Sequence, residues 1–61
     1  MANLTSKELT ALEEQLKAES VLVAKYKAMA NDTNDMQLST KLNEIASKHQ
    51  AHYDTLFQFL N

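Results

Sequence analysis

The sequence predicts an all-α fold, an antiparallel hairpin of two helices. The 61 residues include no glycine and no proline, so nothing breaks a helix from within. Two segments, about 6–30 and 35–60, carry apolar residues at alternating spacings of three and four, which is typical of helices that pack on a partner. The one cluster of loop-forming residues, 31–35, lies between them and is short enough to make the helices antiparallel. The chain, 1–61, is therefore predicted to be a single helical-hairpin domain.

The first helix has a well-marked start. Thr5 is placed to cap it, and Glu8, three residues later, completes the pattern of a capping box. The helix is expected to run from Ser6 to about Ala30, where an Asn in the left-handed conformation would end it in place of glycine. Its packing seam consists of Leu9, Leu12, Leu16, Glu19, Val23, Tyr26 and Ala30.

The second helix is expected to be capped by Asn34 or Asp35 and to run to about Leu60. Its apolar residues follow the same alternation of threes and fours. The seam of this helix consists of Leu38, Leu42, Ile45, His49, His52, Leu56 and Phe59.

The apolar stripes are wider than two helices need. Leu22 and Met29 lie beside the first seam, and Ala46, Tyr53, Phe57 and Leu60 lie beside the second. Faces of this width are typical of a four-helix bundle, in which each helix contacts two neighbours. A chain this short buries little surface, and it has no cysteine for disulfides. We therefore expect an obligate homodimer closed by twofold symmetry.

Three ionisable residues interrupt the seams: Glu19, His49 and His52. Such groups are unfavourable between packed helices unless they are paired, hydrogen-bonded or bound to a metal. If the chain turns near Thr33, all three converge at about one level of the hairpin. Tyr26 and Tyr53 lie on or beside the seams and are expected to join this polar core layer.

The layer has two interpretations. Imidazole and carboxylate are good ligands for iron, zinc or manganese, and the spacing of His49 and His52 places both on one helical face. A dimer would resemble a di-iron bundle, in which two of the helices carry a Glu-x-x-His motif. Here His49 stands at the position of the Glu in that motif. We therefore expect zinc, or one metal ion per subunit, at least as much as a di-iron centre. The alternative is a metal-free, hydrogen-bonded layer that fixes register and oligomeric state.

Composition argues against several classes of function. The net charge is −2, with six lysines and no arginine, which disfavours binding to nucleic acid or to anionic membrane surfaces. No apolar run is long enough to span a bilayer, and no secretion signal is recognisable, so we expect a cytoplasmic protein. Without cysteine, a Gly-rich loop or a serine placed beside a base, a non-enzymatic role is favoured over a catalytic one.

Nearly the whole chain resembles a known family, most specifically over residues 48–56. The segment KHQAHYDTL, residues 48–56, together with Glu19 and Lys25-Tyr26, resembles small proteins related to the spore coat protein F (Coat F) family, which belong to the ferritin-like superfamily in spore-forming Firmicutes. The resemblance implies a ferritin-like four-helix bundle, here made of two hairpins. It also implies a structural role in spore coat assembly, other coat proteins as partners, and a place in the forespore or spore coat. The alternative it implies is an iron- or zinc-binding, rubrerythrin-type oxidative protein.

Overall fold

The protein folds as a hairpin of two helices. The computed structural model describes residues 3–60, with helix α1 at Ser6–Asp32, helix α2 at Met36–Phe57 and a final 3-10 turn at Gln58–Leu60. These residues contain no strand, and the two helices pack against each other along their length. The predicted all-α hairpin is confirmed, and Met1, Ala2 and Asn61 of the predicted 1–61 domain lie outside the described residues.

Helix α1 begins with the predicted capping box. The backbone N–H of Glu8 donates to Oγ1 of Thr5 at 3.1 Å, and the backbone N–H of Thr5 donates to Oε1 of Glu8 at 3.0 Å. Two backbone donors that the first turn of a helix leaves without partners are satisfied in this way.

The end of α1 differs from the expectation. The helix continues two residues beyond Ala30, to Asp32, because the backbone N–H of Thr33 still donates to the carbonyl of Met29 at 3.2 Å. Thr33 then takes an extended conformation with φ at −83°. The expected left-handed Asn is wrong, since no described residue has a positive φ. An extended residue ends the helix without the steric cost of a left-handed one.

The turn that follows is held by side-chain hydrogen bonds. Oγ1 of Thr33 accepts from the backbone N–H of Asp35, and Oδ1 of Asp35 accepts from Gln37 and Leu38 at 3.0 and 3.1 Å. Asp35 is thus the N-cap of α2, one of the two predicted residues. Beside the turn, Oγ of Ser39 donates to the carbonyl of Ala30 at 2.9 Å and ties the helices together.

The last residues of α2 also depart from a regular α-helix. The α-helix stops at Phe57, and the predicted continuation to Leu60 takes the tighter 3-10 form. Such tightening is common at helix ends, where the last carbonyls have no donor four residues on. Within residues 3–60, neither helix has the length and hydropathy needed to cross a bilayer.

The core between the helices is thin. The residue with the least exposure is Ala46, at 1%, which the sequence placed beside the seam and not on it. Its small side chain allows the two backbones to approach closely at that point. No large side chain among residues 3–60 is completely buried. The buried residues are Leu16, Glu19, Val23, Ala30, Leu42 and Ala46.

Replacement of Ala46 by leucine tests this packing. We expect Ala46→Leu to lower the free energy of unfolding by about 1–3 kcal/mol, because the added atoms must separate the helices. Ala51→Leu is the matched control, since Ala51 is exposed on the same helix. Urea unfolding at one fixed protein concentration measures both. Equal stability of the two variants would contradict the packing described here.

Candidate functional site

The centre of the site is the carboxylate of Glu19, midway along α1. Its side chain is only 9% exposed, because Glu19 lies on the seam that faces α2. Oε1 of Glu19 lies 2.7 Å from Nδ1 of His49 on the opposite helix. This is a short hydrogen bond that joins the two helices. An ionised carboxylate only accepts hydrogen bonds, so Nδ1 of His49 is the protonated nitrogen.

His52 lies one helical turn from His49 and approaches the same oxygen. Its Nδ1 is 3.6 Å from Oε1 of Glu19, which is too long for a hydrogen bond, and its side chain is 60% exposed. The two imidazole rings meet edge to face, with centroids 5.6 Å apart. The structure therefore brings together all three predicted residues, with one carboxylate oxygen between two imidazoles.

A fourth residue, Gln15, contributes to the site although it was not among the residues predicted from the seams. Its Nε2 donates to Oε2 of Glu19 at 3.1 Å from the preceding turn of α1. The i,i+4 spacing of Gln15 and Glu19 was the signal in the sequence, since residues four apart are neighbours on a helix. Both oxygens of Glu19 consequently have partners, and the carboxylate is held from two sides.

The two tyrosines behave differently from one another. The ring of Tyr26 stacks on that of His49, with centroids 5.8 Å apart and planes 4° from parallel. Tyr26 thus supports the orientation of an imidazole in the site. Tyr53 stacks on Phe57 instead, with centroids 5.9 Å apart, and lines a groove with Lys27. The structure does not include Tyr53 in the Glu–His contacts.

The electrostatics of the site favour an ionised Glu19. The hydrogen bond from His49 is the main cause that lowers the pKa of the Glu19 carboxyl below its ordinary value of 4.5. Partial burial acts in the opposite direction, because it disfavours charge. The hydrogen bond from Gln15 and the charge of the two imidazoles, when they are protonated, lower the pKa further.

The same residues form a candidate ligand set for a metal ion. One ligand atom each from Glu19, His49 and His52 lies within 4.8 Å of the other two. Ligands of one tetrahedral zinc ion are about 3.3 Å apart, given bond lengths near 2.0–2.1 Å. Oε1 of Glu19 lies 2.7 Å from Nδ1 of His49 and 3.6 Å from Nδ1 of His52, on either side of that separation. If His49 binds the metal through Nδ1, the proton between Glu19 and His49 must leave, because imidazole ligates through a deprotonated nitrogen.

Comparison of the chain with protein-family models, curated proteins and solved structures found no significant match. The resemblance of residues 48–56 to Coat F proteins therefore stays a prediction. The function must be argued from the hairpin and from the Glu–His site.

The lowered pKa of Glu19 predicts a pH dependence of stability. Because the carboxyl is more acidic in the folded protein than in the unfolded chain, its stabilising effect is complete above pH 4.5 and is lost as the pH falls through the lowered pKa. We expect Glu19→Gln to lose less stability than the native protein over that acidic range. Glu14→Gln, at an exposed position of the same helix, should retain the native acid sensitivity.

Urea unfolding from neutral pH to well below 4.5 measures this difference. If Glu19→Gln loses stability on acidification as steeply as Glu14→Gln, the Glu19–His49 hydrogen bond does not stabilise the fold.

Proposed function

We propose that this protein is a structural, non-enzymatic hairpin that pairs with a second copy of itself to form a four-helix bundle. The observation that carries the proposal is the distribution of large apolar side chains. Among residues 3–60 none of these side chains is completely buried, while eight are exposed to solvent. The exposed ones are Leu9, Val21, Met29, Met36, Leu38, Phe57, Phe59 and Leu60.

Energetic considerations favour association. Each Å² of apolar surface removed from water contributes roughly 25 cal/mol, and an isolated hairpin leaves much of this contribution unused. Chains of about 60 residues are marginally stable and usually need disulfides, a metal or oligomerisation. This chain contains no cysteine, so a partner helix pair, a metal, or both would supply the missing stability.

The biological setting we propose is the spore coat. This part of the proposal is supported by the resemblance of residues 48–56 to Coat F proteins, and it places the chain in the forespore or coat with other coat proteins as partners. A small helical bundle with an apolar surface is suited to such an assembly role. Localisation in sporulating cells, with a fluorescent tag and an untagged control, tests it. Uniform fluorescence in vegetative cells and none in the forespore would contradict it.

Self-association predicts a measurable mass. Light scattering is expected to give twice the monomer mass of 6.9 kDa. The unfolding temperature is expected to rise with protein concentration, because dimerisation couples folding to mass action. A stable monomer with a concentration-independent transition would contradict the homodimer.

A second candidate function is metal binding in the bundle core. The specific observation that favours it is the convergence of Glu19, His49 and His52 within 4.8 Å. Iron and zinc are the metals we propose, since both accept imidazole and carboxylate ligands. Three protein ligands would leave a coordination position for water, which is how a catalytic zinc site differs from a closed structural one. An oxidative, rubrerythrin-type activity would require iron.

Metal binding and its absence predict different responses to a chelator. If the site holds a metal, purified protein contains stoichiometric zinc or iron, and chelation lowers the unfolding temperature because the metal stabilises only the folded state. His52→Ala should weaken binding without removing the Glu19–His49 hydrogen bond. Glu44→Gln, at an exposed position of α2, is the matched control.

Absence of stoichiometric metal, together with no effect of the chelator, would contradict metal binding and leave the hydrogen-bonded layer. The layer has its own test, which is the stability and oligomeric state of His49→Ala. If His49→Ala changes neither of them, the polar layer does not hold the bundle together.

A further inference from the structure

The two sides of the hairpin differ in chemistry. Residues seven apart lie on the same side of a helix, and one such set lies on the side that carries His52. We call it the histidine face. Five of the seven members that we assign to it are apolar, and charged residues border them, with Glu8 at the start of the series on α1 and Lys41 beside it on α2. The histidine face consists of Gln15, Leu22, Met29, Leu38, Ile45, His52 and Phe59.

The opposite side of the hairpin carries both polar and apolar side chains along its middle, with Val23, Ala24 and Tyr53 among the apolar ones. Two grooves run between the helices there. One is lined in part by Ser20, Lys27 and Gln50, and the other by Lys27, Ser39 and Asn43. These side chains can hydrogen-bond to water, so the groove side can remain in solvent at little cost. The histidine face carries three of the eight exposed large apolar side chains, Met29, Leu38 and Phe59, and they come from both helices.

The Glu–His site opens toward the histidine face. His52, the most exposed of the three site residues, is a member of that face, and Gln15 reaches Glu19 from the same side. Glu19 lies midway along α1, so the site lies near the middle of the hairpin's length. A molecule that covered the histidine face would also cover the site.

We infer that a second copy of the chain docks on the histidine face, buries His52 and brings the two Glu19–His49–His52 clusters into one bundle interior. The inference rests on the proposed homodimer and specifies the surface that forms it. Burial would remove water from around His52 and strengthen its interaction with Glu19, since electrostatic interactions increase as the local dielectric falls.

Two properties of the histidine face favour a copy of itself as the occupant. The seven residues of the face include no Lys, Asp or Glu, and the charged residues that border it carry both signs, as Glu8 and Lys41 do, so two copies can meet there without an excess of like charge. The hairpin measures 46 × 16 Å across its broad side, so two fully apposed faces would remove at most about 1,500 Å² from solvent. Stable specific interfaces bury about 1,200–2,000 Å².

Distances between spin labels on the two copies test the docking side. The chain has no native cysteine, so single-cysteine variants carry one label per copy. Ala18→Cys and Ser20→Cys form a matched pair of exposed positions on either side of Glu19. Ala18 neighbours Gln15 and Leu22 on the histidine face, whereas Ser20 lines a groove on the opposite side. Double electron–electron resonance on the labelled dimers measures the distance between the two labels. This distance is expected to be about 20 Å shorter for labels at position 18 than for labels at position 20, which is two helix diameters.

The outcomes separate the inference from the proposed function. A dimer in which the Ser20 labels are closer, or in which the two distances are equal, overturns the docking side and leaves the homodimer standing. A monomer in light scattering overturns the homodimer, and the docking side with it. A complex that forms only with another protein overturns both.

A second pair of variants tests the face without labels. Leu38 on the histidine face and Phe57 on the other side of α2 are almost equally exposed, at 48% and 47%. We expect Leu38→Glu to raise the dissociation constant of the dimer at least tenfold, because it introduces repulsion and a desolvated charge into the interface. Phe57→Glu is expected to leave the dissociation constant within about threefold of the native value, since the substituted side chain stays in solvent. The reverse order would contradict the inference, and helicity of both variants by circular dichroism confirms that they fold.

Discussion

The hydrogen bond between Glu19 and His49 is the constraint on which the rest of the structure depends. Apolar contacts between two long helices are non-directional and would tolerate several registers. Ser39 fixes the register beside the turn through its hydrogen bond to Ala30, and the 2.7 Å contact of Glu19 with His49 fixes it at mid-length. A slip of one residue would rotate the imidazole away by about 100° and leave a buried carboxylate without its partner across the helices.

This constraint explains why the two proposed functions share one geometry. Glu19 can be buried because Gln15 and His49 satisfy its two oxygens, and the same arrangement presents a set of metal ligands. The two cases differ in what lies between these side chains: a proton in the hydrogen-bonded layer and a metal ion in the metal site. In both, the polar layer would determine how the helices align, and the apolar surface would supply the energy of association.

Much of the fold could be predicted from sequence because it depends on local chemistry. The capping box of Thr5 and Glu8 and the cap at Asp35 follow from short-range spacing. Glu19 and His49 are 30 residues apart, and their proximity follows from the position of the turn between two regular helices. The end of α1 could not be predicted from sequence, because it depends on whether Thr33 or an Asn is the first residue with a non-helical conformation. The burial of Ala46 depends on how closely the backbones approach, which a heptad pattern does not state. The i,i+4 spacing of Gln15 was visible, but only the structure shows that its amide turns toward Glu19.

The most direct test of the central claim is a double-mutant cycle with Glu19→Leu and His49→Leu, measured by urea unfolding in the presence of a chelator. Each single substitution leaves one polar group without its partner, whereas the double substitution removes both. We expect each single variant to be less stable than the native protein, and the double variant to lose far less stability than the sum of the two losses. Losses that simply add would show that Glu19 and His49 act independently, and that the layer does not organise the hairpin.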